Sequence, residues 1–89
     1  MDKTTLYFSA HKDCLPDILK SVSAFYEAYT LIETKGCWKG VLEDAYKLEI
    51  IGDIDVLKPI YTIAEEIKEI AKQESVLITF EEMLDVNFI

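Results

Sequence analysis

The chain has 89 residues, 51% of them apolar, and a formal net charge of −8 from 17 acids and 9 bases. A chain of that length holds one domain with a thin core, because it buries only about 60–65% of its unfolded surface. Every base is a lysine; bidentate arginine recognition of phosphate is excluded, and the acidic balance argues against nucleic acid or anionic membrane as a partner.

So many apolar residues in so small a domain point to self-association, a homo-oligomer that hides the surplus. The acidity keeps the chain soluble or fits it to a basic protein surface. Cys14 and Cys37 stand without a signal-peptide pattern and read as free thiols. No apolar run approaches the roughly 20 residues of a membrane span. Together these features predict a cytoplasmic protein.

Residues 4–9 (Thr-Thr-Leu-Tyr-Phe-Ser) are β-branched and aromatic, and apolar on both faces, which predicts a central strand. Asp13 is placed to cap a helix over about 14–27, with Pro16 and Asp17 in its first turn. Leu15, Ile18, Leu19, Val22, Phe25, Tyr26 and Tyr29 recur there at helical spacing. Residues 29–34 switch to β character. In residues 45–50, Tyr46, Leu48 and Ile50 alternate with Lys47 and Glu49, a strand with one covered face. These two strands form an antiparallel hairpin.

Asp53 or Asp55 can cap a second helix from about Val56 to Gln73, with Pro59 in its first turn. Its apolar stripe runs through Ile60, Ile63, Ala64, Ile67 and Ile70. On its solvated face Glu65 can pair with Lys68, and Glu69 with Lys72. Residues 75–80 form a fourth strand. The terminal residues extend it or add a fifth, and Phe88 and Ile89 are expected to pack on the domain or on a neighbouring subunit. The order β-α-β-β-α-β predicts an α+β, ferredoxin-like sandwich: a four-stranded antiparallel sheet with both helices on one face. The open face is a place for a second subunit.

Catalytic chemistry finds little material. His11 is the only histidine, and with Cys14 and Cys37 it lacks the spacing of a zinc site. Glu43 and Asp44 are adjacent, so in a strand they point to opposite faces and form no acid–base pair. No enzyme activity, metal or cofactor is expected.

The stretch 36–44 (Gly-Cys-Trp-Lys-Gly-Val-Leu-Glu-Asp) stands apart. Gly36 and Gly40 allow unusual backbone conformations and leave N–H groups accessible. Trp38 is a flat stacking surface and Lys39 a cation beside it; Glu43 and Tyr46 stand close in sequence. Such a set suits a small anionic, nucleotide-like molecule. It suits better still a structural hairpin whose Trp38 packs over the core or into a neighbour.

Trp38-Lys39-Gly40, two residues, then Glu43-Asp44 and an apolar strand resembles the W-K-G-x-x-E-[ED] hairpin of CutA-type divalent-cation-tolerance proteins. The resemblance covers about residues 30–51, and the element order agrees with it. It implies a PII-like trimer, subunits packed by their sheet edges, with clefts between them. In related PII-type proteins such clefts take nucleotides. Two functions follow as expectations: an oligomeric binding protein that senses or sequesters such a ligand, or a small acidic inhibitor or adaptor of viral or mobile-element type acting on a host protein.

Overall fold

Residues 1–53 and 58–89 are described by a computed structural model. The longest strand, β3 (Val41–Gly52), spans twelve residues, about 40 Å of extended chain. That is close to the longest extent of the molecule, 38 Å. Against it lie β1 (Asp2–Ser9) on one side and β2 (Thr30–Trp38) on the other, and β4 (Leu77–Glu82) pairs with the far side of β1. The order is β2-β3-β1-β4, antiparallel throughout. Among the described residues two α-helices, α1 (Leu15–Ser23) and α2 (Ile60–Ala71), complete the fold. This is the ferredoxin-like α+β arrangement, with β1 central as its composition requires.

Alternation decides what is buried. Leu6 pairs with Leu48 and Phe8 with Tyr46, so these side chains share one face. With Ile50 they form the core against Ile18 and Val22 of α1 and Ile60, Ile63, Ala64 and Ile67 of α2. Full burial of each such isoleucine favours folding by about 1.5–3 kcal/mol. The odd-numbered residues of β1 and β3 take the opposite, helix-free face, where Tyr7 pairs with Lys47 and Thr5 with Glu49.

The β2–β3 hairpin outruns the sheet. β1 ends at Ser9, opposite Ala45, but β2 and β3 pair on to Trp38 and Val41. Residues 35–44 are thus a two-stranded arm. Lys39 and Gly40, with φ of 51° and 80°, turn it at the tip. Two successive positive φ values make the primed turn whose twist matches the strands.

Several boundaries differ from the sequence expectation. Strand structure fills 36–44 apart from the turn, so Gly36 lies in the ladder opposite Glu43 and only Gly40 uses glycine's conformational freedom. α1 stops at Ser23, and the amides of Phe25 and Tyr26 both bond to Val22 O; the aromatic residues that follow are poor helix formers. Asp13 does not cap it: Cys14 holds that position. α2 begins after Pro59, which sits at the N-cap without a side-chain bond, so Asp53 does not cap it. The expected start at Val56, and Asp55, lie outside the described residues. α2 ends at Ala71 because Lys72 turns into the left-handed region at φ 55°. Glu65 and Lys68 approach to 3.7 Å, whereas Lys72 has left the helical path that would pair it with Glu69. β4 runs two residues beyond its expected end, and no strand follows it.

Candidate functional site

An open cleft of about 750 Å³ lies between the arm, the end of β1 and the 72–75 connection from α2 to β4. Its placement follows from the register. Val41, Glu43, Ala45 and Lys47 project from β3 on the helix-free side, and their partners Trp38, Gly36, Thr34 and Ile32 project with them from β2. Tyr7 and Ser9 continue the row on β1.

Trp38 is 58% exposed and therefore not core, with Lys39 Nζ 5.7 Å from its ring. At the other end Lys47 Nζ stands 5.8 Å over Tyr7. Between them Ser9 Oγ donates to Glu43 Oε2 at 2.8 Å. Lys35, Lys47 and Lys72 line the cleft, against Glu43 and Glu74. Lys35 is taken up by Asp44, across the ladder. That pairing, first by hydrogen bond and then by charge, holds the Lys35 ammonium above its usual value and the Asp44 carboxyl below its own.

The structure distributes the sequence candidates unevenly. Gly36, Trp38, Glu43 and Tyr46 line the cleft. Tyr46 does so from the core side, 2% exposed and with its ring 5.7 Å from Phe8. Burial, then the carboxylates of Glu33 and Asp44, push its hydroxyl above the ordinary tyrosine range. Lys39 and Gly40 form the turn and do not line the cleft. Phe88 and Ile89 stand in solvent and do not pack on the domain. Sequence reasoning missed Tyr7, Ser9, Lys47 and Lys72. The first three carried a signal in their parity, opposite to that of the buried residues; Lys72 carried none.

Cys14 Sγ points at Ile70 O, 3.7 Å away, while His11 Nδ1 accepts from the Asp13 amide at 3.2 Å. The two groups face different partners. Among the described residues no three His, Cys, Asp or Glu side chains gather as a metal cluster, and no helix is long and apolar enough to cross a membrane.

No family profile matches this sequence, and no curated protein matches it. Solved structures do. A protein of the DUF3240 family from Shewanella baltica superposes with a TM-score of 0.69 at 11% identity, covering 99% of this chain and 96% of that one. A phage SAM lyase in its apo state gives 0.72 at 15%, covering 90% and 78%. CutA1 from Pyrococcus horikoshii gives 0.65 at 17%, covering 98% and 87%. The fold is therefore of the CutA type.

Proposed function

We propose that this chain is a non-enzymatic, homotrimeric binding protein that takes a small anionic, nucleotide-like ligand in the cleft beside Trp38, at a junction between subunits. One observation carries the reading. On a chain of net charge −8, Lys47 and Lys72 line one cleft together with an exposed indole and a tyrosine ring. Aromatic faces hold a base by stacking and ammonium groups hold its phosphates.

Self-association has its own support. The arm's tip exposes Val41 and Leu42, and an isolated two-stranded ribbon is marginal in water. Packing against another copy would cover both and bring a second wall to the cleft. Phe88 and Ile89 are free to join such an interface.

A thermal-shift screen over nucleotides tests the ligand. Saturation at about 100 times Kd stabilises by about 2.7 kcal/mol; no shift with any nucleotide at millimolar concentration overturns it. Trp38→Ala should abolish the shift and leave the fold intact. Light scattering tests the junction, which a clean monomer at tens of micromolar would sink.

The likeness to a phage SAM lyase favours a second reading, an enzyme that cleaves SAM with the adenosyl group in the same cleft. Incubation with SAM, followed by mass spectrometry, separates the two: loss of SAM supports the enzyme, and unchanged SAM removes it.

A further inference from the structure

We propose that Glu43 reads the sugar of the bound nucleotide, accepting hydrogen bonds from the ribose 2′- and 3′-hydroxyls, so that the cleft takes ribonucleotides in preference to dideoxynucleotides. The inference rests on the nucleotide reading above and adds to it which part of the ligand each residue meets.

The helix-free face works as a ruler. Trp38 is level with Val41, Gly36 with Glu43, and Ile32 with Lys47. At about 3.4 Å per residue, the Glu43 row lies about 7 Å from the Trp38 row, and the Lys47 row about 14 Å beyond it. An aromatic platform, a carboxylate and an ammonium therefore follow one another in a line. A nucleotide presents base, sugar and phosphate in that same order.

The middle of the line is bare. Gly36 has no side chain, and a Cβ placed on it would meet Ala45 Cβ at 3.4 Å. Nothing bulky rises beside the Glu43 carboxylate from the paired strand, so a ring can lie down over it.

The state of Glu43 chooses what that ring carries. Its Oε2 is held by Ser9, which fixes the carboxylate's direction. Lysines line the same cleft, yet Glu43 forms no ion pair with any of them. An ionised carboxylate only accepts hydrogen bonds. Left unneutralised, it repels phosphate and demands donors. A vicinal diol supplies two donors and no charge, and a carboxylate on ribose hydroxyls is a recurring solution in dinucleotide sites.

The chain's single tryptophan makes the test site-specific. Quenching of Trp38 fluorescence is titrated with the four ribonucleoside triphosphates and their 2′,3′-dideoxy forms, on the wild type and on Glu43→Gln. Glutamine retains an oxygen for Ser9 but loses the charge, and charge-assisted hydrogen bonds exceed neutral ones by about a factor of two in strength. The wild type should bind the ribose forms at least about tenfold more tightly, the scale of one such bond. In Glu43→Gln the ratio should fall below about threefold, with the melting temperature held. Equal affinity of the two forms for the wild type overturns the role of Glu43 while leaving nucleotide binding standing. An unchanged ratio in Glu43→Gln does the same. Absence of quenching by every nucleotide overturns both.

Discussion

Ser9 and Glu43 are joined by a 2.8 Å hydrogen bond that ties the last residue of β1 to the arm running past it. No other side-chain hydrogen bond among the described residues links the arm to β1. Ser9→Ala should therefore lower stability by about 0.5–1.5 kcal/mol, the net worth of one hydrogen bond. Urea unfolding measures this. A loss above about 3 kcal/mol would show that Ser9 does more than anchor the arm.

Thr4 offers the reverse case. Its hydroxyl is fully buried on the core face and has no hydrogen-bond partner, between Ile50 and Phe80 in the ladders. Valine keeps the shape and removes the polar atom. Thr4→Val should raise stability by about 1–2 kcal/mol. A lower melting temperature would mean that the hydroxyl finds a partner in solution, such as a buried water.

Lys72 stands at the end of α2 in the left-handed conformation, where the amide of Gln73 bonds back to Lys68 O. Glycine is the usual residue for that cap. Lys72→Gly should stabilise the fold by about 1 kcal/mol and, if the cleft takes nucleotides as proposed, weaken their binding several-fold, since the ammonium leaves the cleft. Calorimetry and fluorescence titration read the two effects apart. Unchanged affinity would remove Lys72 from the site.

Asp44 sets the arm's response to acid. Its carboxyl titrates below its ordinary 3.8 because Lys35 holds the charged form. A depressed carboxyl adds stability that is complete above the unfolded value and is lost as pH falls through the folded one. Asp44→Asn should thus be less stable than the wild type at pH 7, and the gap should close below about pH 3.8. Both groups are exposed, so the gap is small and shrinks with salt. A gap that does not shrink as pH falls below about 3.8 would assign it to something other than this pair.

The fold was legible where the chain obeys a simple period. Tyr46, Leu48 and Ile50 announced β3, and the stripe on α2 announced a helix packed on one side. The arm was harder to read. Gly36 and the Glu43-Asp44 pair look like breakers, although cross-strand pairing overrides such weak preferences. Lys-Gly is also not the Asn-Gly or Asp-Gly that usually marks a primed turn. Trp38 and Glu43 were found by type, whereas Tyr7, Ser9 and Lys47 join them only once the β1–β3 register is known. No local pattern sets that register, which depends on which faces the helices cover.

The arm's lack of a third strand has a further consequence. Trp38 and Glu43 ride on the ribbon, whereas Tyr7 and Ser9 belong to the body of the sheet. Amides on the ribbon should exchange with solvent through openings that leave the core closed. Any molecule that bridges the two parts binds only the closed form, so it must slow that exchange in proportion to its occupancy. Hydrogen exchange at residues 35–44 is thus a binding assay in itself, needing no label and no knowledge of the ligand.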